Sequence, residues 1–168
     1  AIPIDYIGKV ETLETDGPVG FVNFMSTSTF FGTCSYPSEC VLGSTWNTDL
    51  LYRMGENVGN EGLIGDYTSP YSGWYAPGVN IHRSPFGGRN FEYFSEDPFI
   101  SGRMAGAITR GVQSHQKRST TIKHFACNGQ EFNRFNSNSI LSERALREIY
   151  LRGFKIAIDS SSPYALMT

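Results

Sequence analysis

The 168-residue sequence lacks the features that mark membrane and nucleic-acid-binding proteins. No apolar run approaches the roughly 20 residues that span a bilayer. The formal charge of −2 comes without a Lys/Arg block, which removes the electrostatic argument for a nucleic-acid or membrane partner. The start, AIPIDYIGKV, carries neither a signal-peptide pattern nor an initiator Met, so we expect a processed or truncated beginning. What remains, with 39% hydrophobic and 14% aromatic residues, is the composition of a globular domain.

Cysteine is scarce and follows no metal-ligand spacing. The three cysteines, Cys34, Cys40 and Cys127, cannot all pair within the chain. A Cys34–Cys40 bridge is one alternative, but we favour three free thiols in a reducing compartment. Because no Cys/His spacing resembles a metal site, we expect neither a metal nor another cofactor.

Four apolar segments are predicted to be strands. Residues 10–15 alternate in polarity and end at a turn, residues 78–82 and 120–126 are short apolar runs, and residues 164–168 form a last one. An aromatic, glycine-rich stretch, GDYTSPYSGWYAPG, leads into the second of these segments, and we assign it to a loop. Residues 17–45 are likewise assigned to a long loop, which in a compact domain is usually functional.

Three helices are predicted between these strands. Asn47 can cap the first, which extends to about Leu63; Asp97 before Pro98 begins the second, and Ser142 caps the third. The stripes expected to be buried are Leu50, Leu51, Met54 and Val58 on the first, Ile100, Met104, Ile108 and Val112 on the second, and Leu146, Ile149, Tyr150, Phe154 and Ala157 on the third. Helices between strands indicate a parallel sheet with right-handed crossovers.

Such a sheet fits both a doubly wound fold and a (β/α)8 barrel, and two features favour the barrel. Polar residues follow each strand, Asp16, His82 with Arg83, and Lys123 with His124, as expected where ligand groups collect at the C-terminal rim. No glycine-rich phosphate loop follows the first strand. Since a complete barrel takes about 250 residues, we expect this α/β chain to supply roughly its first half, as a piece of a larger protein.

The loop after residues 78–82 carries the first candidate ligand group. Arg89 follows two glycines, Gly87 and Gly88, which let the backbone approach a neighbour or ligand. The nearby Glu96 and Asp97 are assigned to Arg–carboxylate pairs that hold the loop together.

Lys123 and His124 form the most specific group of candidate ligand-binding residues. Neighbours on a strand face opposite sides, so both reach one ligand only where the strand ends. Both donate hydrogen bonds to hydroxyls, and Phe125 could offer an apolar platform to the face of a ligand. The alternative is a surface lysine beside a core histidine. Asp16 has an alternative too, because an Asp before Gly-Pro commonly bonds its own backbone in a turn.

The motifs, taken together, resemble the family 3 glycoside hydrolases, the β-glucosidase group. They occur in the family's order over nearly the whole chain: DGP at 16–18, STWN at 44–47, NIHRSP at 80–85, GRNFEYFSEDP at 88–98, KHFACNGQE at 123–131, SERALREIYLRGF at 142–154 and ALMT at 165–168. The resemblance implies the N-terminal barrel domain of an enzyme that has a second, α/β sandwich domain. The active site would lie between the two domains.

The resemblance also implies roles for particular residues. Asp16 would bind hydroxyls at the far end of a non-reducing glucose, and Arg89, Lys123 and His124 would bind the neighbouring hydroxyls. Glu92 would steer Arg89. We expect the polar loop after the third strand, which contains Asn128 and Gln130, to brace the pocket, with Glu131 pairing Arg134 or Arg89.

The implied enzyme is a retaining, exo-acting β-glucosidase whose nucleophile Asp and acid/base Glu lie outside this sequence, so the segment alone should be inactive. One position departs from the family pattern: Val22 stands where an Arg often contacts a hydroxyl.

The expected partners are a β-glucoside or oligosaccharide substrate and the remainder of the same enzyme, with a homo-oligomer left open. A β-xylosidase, a mixed-specificity enzyme and a non-catalytic carbohydrate-binding homologue are the alternatives.

Overall fold

The structure, a computed structural model, describes residues 4–8, 13–21, 33–65, 71–116 and 118–168. Its four strands form one parallel sheet in the order β1-β2-β3-β4. They are β1 (Leu13–Asp16), β2 (Tyr71–Tyr75), β3 (Ser119–Ile122) and β4 (Ala165–Leu166). A doubly wound sheet reverses its strand order at a switch point, whereas a barrel adds each new strand beside the last. The uninterrupted order is therefore that of part of a barrel, as predicted.

Helices connect every pair of successive strands. They are α1 (Glu39–Gly43), α2 (Thr48–Ile64), α3 (Pro98–Gln113), α4 (Glu143–Ala145) and α5 (Arg152–Ser161). A π turn over Leu146–Tyr150 joins α4 to α5, and short 3-10 turns lie at Asp5–Ile7 and Asn90–Glu92. The chain thus alternates strand and helix throughout, and the carboxyl ends of the strands meet at one edge.

All three predicted helix starts are confirmed. Asn47 Oδ1 accepts from the N–H groups of Asp49 and Leu50, and Asp97 Oδ1 accepts from Phe99 at 2.7 Å. Ser142 Oγ accepts from the N–H of Ala145 at 3.2 Å. These side chains satisfy amide donors that the first turn of a helix leaves without partners.

Helix α3 lies between α2 and α5 and forms the centre of the helical layer. Its residues Met104, Ile108 and Val112 are buried, as predicted. The crossing with α2 is close: a Cβ at Gly111 would lie 2.1 Å from the Tyr52 carbonyl oxygen, so only glycine fits there. This close approach fixes how the helices cover the sheet.

The second strand lies earlier than predicted. Tyr71–Tyr75 form β2, within the stretch that was assigned to a loop, whereas residues 78–82 contribute only a bridge from Gly78 to Lys123. Tyr71 and Trp74 are fully buried. Aromatic residues are good strand formers, and a strand covered on both faces needs no polar alternation. Pro77, which has no N–H, ends the regular ladder.

Other predicted boundaries also need correction. The assigned loop at 17–45 contains α1, a helix too short to show periodicity, and residues 22–32 lie outside the described part of the chain. The third strand ends at Ile122 rather than at residue 126. Leu50 is exposed because its neighbour Leu51 occupies the buried face. The π turn shifts the helical register by one residue, which leaves Ile149 exposed while Phe154 is buried.

Candidate functional site

Four polar side chains from three different strand ends line one cavity. Asp16 ends β1, Arg89 lies in the loop after β2, and Lys123 and His124 follow β3. The cavity measures about 890 Å³ and continues along the loop after β3, from Phe125 to residue 139. The structure therefore brings together every residue to which the sequence assigned direct ligand contact.

Asp16 serves both the turn and the cavity. Its Oδ1 accepts from the N–H of Gly17 at 2.8 Å, as the turn interpretation requires, and from Lys123 Nζ at 2.6 Å. Among the described residues its Oδ2 has no hydrogen-bond partner, and the side chain keeps 32% of its surface exposed. One carboxylate oxygen is thus available to a ligand.

Glu92 connects the two cations of the site. Its side chain is only 2% exposed; Oε1 accepts from Arg89 Nε, and Oε2 lies 3.4 Å from Lys123 Nζ. Buried charges are stable only when paired, so Glu92 holds both cations in fixed positions. Burial lowers the pKa of Arg89, but the hydrogen bond and the charge of Glu92 together with other nearby charges outweigh it, so the pKa is raised. The predicted contact between Glu92 and Arg89 is present.

A second buried carboxyl group lies behind this ion-pair network. Glu39, in the first turn of α1, is fully buried, and both its oxygens lie 3.1 Å from the N–H of Gly78. Burial raises the pKa of Glu39 well above its usual 4.5, with Glu92 adding to the rise and Lys123 opposing it. A Cβ at Gly78 would lie 2.1 Å from the Glu92 carbonyl oxygen, which makes glycine necessary there. The sequence carried no signal for Glu39, because it lies in a segment without periodicity.

The backbone of His124 is held by an amide side chain. Asn80 Oδ1 accepts from the His124 N–H at 2.6 Å, and Asn80 Nδ2 donates to the His124 carbonyl at 2.9 Å. These bonds replace the sheet ladder, which explains why β3 ends before His124. The Lys123–His124 peptide bond is cis, and both side chains face the cavity. Sequence reasoning placed Asn80 inside a strand and missed this function.

The imidazole of His124 is neutral at ordinary pH. Burial, then the positive charges of Arg89 and Lys123, lower its pKa to about 3, with Asp16 opposing them. Its Nδ1 lies 3.1 Å from the phenolic oxygen of Tyr93, and the two rings meet edge to face. His124 can therefore act as a hydrogen-bonding group without carrying charge.

The loop that carries Arg89 and Tyr93 is held from below by His82. Its Nε2 lies 2.9 Å from the Asn90 carbonyl oxygen and 2.7 Å from that of Tyr93, so this nitrogen must carry the proton it donates. His82 was predicted as a rim residue, and it supports the rim instead of lining the cavity.

Glu131, in the loop after β3, contacts both of the arginines predicted as its partners. Glu131 Oε1 lies 2.7 Å from Arg134 Nη1 and 4.0 Å from Arg89 Nη1. A Cβ at Gly88 would lie 3.0 Å from the Cβ of Glu131, which confirms that this glycine permits a close approach. Arg134 itself lines the cavity. By contrast, neither Glu96 nor Asp97 forms an ion pair within the described residues; Asp97 caps α3, and Arg89 is engaged by Glu92.

The arrangement suits an uncharged, hydroxyl-rich ligand. Arg89 and Lys123 are already balanced by Glu92 and Asp16, so the site has little net attraction for an anion. Lys123 donates a hydrogen bond to Asp16 and forms an ion pair with Glu92 at 3.4 Å, which leaves at least one of its three N–H groups for a ligand. Donors on Arg89, Lys123 and His124 beside an acceptor on Asp16 match groups that both donate and accept, as hydroxyls do.

Other classes of site find no support in the described ranges. Within them, no group of three or more His, Cys, Asp and Glu side chains is arranged to hold a metal ion. No helix there has the length and apolar character needed to cross a membrane. Cys34, Cys40 and Cys127 are all unpaired, with Cys127 on the cavity wall.

Residues 12–168 match the model of the glycosyl hydrolase family 3 N-terminal domain. The chain belongs to this family. It is 43% identical over 159 residues to β-glucosidase A of Butyrivibrio fibrisolvens, which covers 95% of this chain and 18% of that protein. It is 40% identical over 167 residues to a β-glucosidase of Kluyveromyces marxianus, covering 98% of the chain and 19% of the relative. The family 3 chain described here thus spans about a fifth of the length of these relatives.

Solved structures of family 3 proteins share the fold. β-Glucosidase 3B of Thermotoga neapolitana, in complex with α-D-glucose, matches with a TM-score of 0.85 at 44% identity, over 98% of this chain and 23% of that one. The glucose complex of the K. marxianus β-glucosidase matches with a TM-score of 0.88 at 36% identity, over 99% and 20% of the two chains. The predicted family and the predicted partial barrel are both confirmed. Val22, the departure from the family pattern, lies outside the described residues.

Proposed function

We propose that this chain is the sugar-binding part of a retaining, exo-acting β-glucosidase that removes terminal non-reducing β-D-glucosyl residues. The observation that carries the proposal is the meeting of Asp16, Arg89, Lys123 and His124 in one cavity. The names of its relatives, which are β-glucosidases, support the same substrate class.

In the proposed complex, the four side chains bind one glucose ring through its hydroxyls. Asp16 accepts from hydroxyls at the end far from the scissile bond, while Arg89, Lys123 and His124 donate to the neighbouring hydroxyls. Asp16 makes the binding selective, because a ligand without a matching hydroxyl would leave a carboxylate oxygen without a partner. Hydrogen bonds that strengthen as the ring flattens lower the reaction barrier rather than merely the dissociation constant.

The remaining chemistry belongs to parts of the proposed enzyme outside this chain. A nucleophilic Asp from the rest of the barrel and an acid/base Glu from an α/β sandwich domain would flank the glycosidic bond. For a retaining enzyme these two carboxyl groups lie about 5–5.5 Å apart and the reaction passes through a covalent glycosyl intermediate. Residues 1–168 would contribute substrate binding and no catalytic carboxylate.

Kinetics of the complete protein test this proposal. We expect turnover of an aryl β-glucoside to exceed that of the aryl β-xyloside, which lacks the 6-hydroxymethyl group. A preference for the xyloside would indicate a β-xylosidase, equal rates a mixed specificity, and sugar binding without turnover a non-catalytic homologue.

The variant Asp16→Ala should lower kcat/KM on the glucoside by about 100-fold or more, because several kcal/mol of transition-state binding are lost. Asp159→Ala is a matched control, since it removes a carboxylate from an exposed ion pair with Lys155 on α5. Such pairs contribute little, so its kinetics should be those of the wild type. Near-wild-type kinetics for Asp16→Ala would refute the assigned role.

A further inference from the structure

The contact between Tyr93 and His124 determines which nitrogen of the imidazole faces a ligand. The Tyr93 side chain is buried, with the residue only 2% exposed, and its phenolic oxygen lies 3.1 Å from His124 Nδ1. Among the described residues this phenol has no other hydrogen-bond partner. A buried O–H that leaves its proton without an acceptor is costly. The phenol must therefore donate, and Nδ1 must accept.

The phenol is also well suited to remain a donor. Burial raises the pKa of Tyr93, and the nearby carboxylate of Glu92 adds to the rise, although Arg89 opposes both. The low pKa of His124 excludes the imidazolium, in which both nitrogens would donate. Of the two neutral tautomers, only the one with its proton on Nε2 accepts at Nδ1.

We propose that Tyr93 is a positioning residue that locks His124 in the Nε2–H tautomer, so that His124 presents a hydrogen-bond donor to the cavity. Within the described structure Nε2 makes no hydrogen bond, which leaves it for a ligand. Asn80 holds the backbone of the same residue through its carbonyl and its N–H, while the contact with Tyr93 fixes the protonation of the ring. A ligand oxygen facing His124 must then act as an acceptor.

Only the choice of ligand rests on the proposed function; the tautomer does not. For a glucose ring, the hydroxyl that meets His124 would accept from Nε2 and donate its own proton elsewhere. A deoxy analogue at that hydroxyl would lose this bond, and an ether oxygen, which only accepts, would keep it.

Neutron diffraction from crystals of the deuterated complete protein at neutral pH tests the assignment directly. We expect deuterium on the Tyr93 oxygen, directed at His124 Nδ1, and deuterium on Nε2 but not on Nδ1. Deuterium on Nδ1 would overturn the proposal. This result can be read whether or not the protein hydrolyses a glycoside, so it separates failure of this inference from failure of the proposed function.

A double-mutant cycle tests the functional consequence. Tyr93→Phe keeps the ring packing and removes the hydroxyl, and it should lower kcat/KM on the glucoside by about 3- to 10-fold, the worth of one hydrogen bond. In a His124→Gln background, which supplies an amide donor that has no tautomers, the same change should cost less than about twofold. Equal losses in the two backgrounds would contradict the proposed coupling.

Tyr36→Phe controls for the loss of a phenol as such. Tyr36 donates to Glu61, away from the cavity, and is also partly buried. We expect this variant to keep wild-type kinetics in both backgrounds. A kinetic loss for Tyr36→Phe equal to that for Tyr93→Phe would show that the effect is general destabilisation and would also overturn the proposal.

Discussion

Two buried carboxyl groups behind the cavity are predicted to differ strongly in their sensitivity to the same substitution. Glu92 and Glu39 are 1% and 0% exposed, yet Glu92 contacts two cations while Glu39 contacts a single backbone N–H. Replacing each by Gln keeps the shape and removes the ability to carry charge. We expect Glu92→Gln to be damaging and Glu39→Gln to be mild.

The magnitude for Glu92→Gln follows from its contacts. The change leaves Lys123 paired with Asp16 and, among the described residues, it leaves Arg89 with only the 4.0 Å contact to Glu131. A hydrogen bond to a charged group is worth about 1.5–3 kcal/mol against about 0.5–1.5 for a neutral one, so two weakened contacts cost about 2–3 kcal/mol. Because both cations lose their common support, kcat/KM should also fall by about tenfold or more.

Glu39→Gln should be tolerated because Gln resembles the neutral acid. Burial holds the pKa of Glu39 well above 4.5, and an amide oxygen can still accept from the Gly78 N–H. The expected loss is below about 1 kcal/mol at mildly acidic pH. The folded-state pKa is raised, so the wild type loses stability as the pH rises through that pKa. The variant has no titratable group at this position, so its stability relative to the wild type should increase as the pH rises.

Calorimetry and kinetics of the complete protein, run on both variants across the same pH range, measure these differences. The melting temperature should fall clearly for Glu92→Gln and little for Glu39→Gln. Equal melting temperatures for the two variants, or a change for Glu92→Gln within about 0.5 kcal/mol, would refute the argument that Glu92 anchors the cations.

Two further predictions concern the cavity residues themselves. Arg89→Lys replaces a planar fork by a point charge and should lower kcat/KM by about tenfold or more; a change below about twofold would contradict the role of Arg89. For His124, the unfolded chain takes up a proton near pH 6.5 and the folded chain only near pH 3, so acidification across this window favours unfolding. The free energy of unfolding should change by at most about 1.4 kcal/mol per pH unit in this window, and by less than that because the ring is only half-buried. The variant His124→Gln should lack this pH dependence. An identical pH profile of melting temperature for wild type and His124→Gln would contradict this prediction.

The parts of the fold that the sequence predicted well are those with local physical signals. Asn47, Asp97 and Ser142 cap helices because their side chains satisfy nearby amides, and that chemistry needs no tertiary context. The stripe of Met104, Ile108 and Val112 likewise follows from helical periodicity alone.

The strand β2 could not be predicted in the same way. Tyr71–Tyr75 read as loop because aromatics and glycine break the polar alternation, while burial on both faces removes the need for it. Residues 78–82, which the sequence predicted to be a strand, contribute only the bridge from Gly78 to Lys123, because Pro77 interrupts the regular ladder. Only the neighbouring strands, which bury Trp74, decide between these segments.

The candidate site likewise contains residues with a signal in the sequence and residues whose role depends on tertiary contacts. Asp16, Arg89, Lys123 and His124 were named from motifs, and the structure places all four on one cavity. Of the groups that hold them, Glu92 and Glu131 were predicted but Glu39 and Asn80 were not. Glu39 lies 84 positions before Lys123, and its effect on the site arises only through folding. Asn80 was assigned to a strand, and its two bonds to the His124 backbone depend on a tertiary contact.

A structure of the complete protein with glucose bound is the most direct test of the central claim. We predict that hydroxyls of one glucose ring lie within about 2.7–3.2 Å of polar atoms of Asp16, Arg89, Lys123 and His124. A glucose that binds elsewhere, or that contacts none of these side chains, would contradict the account.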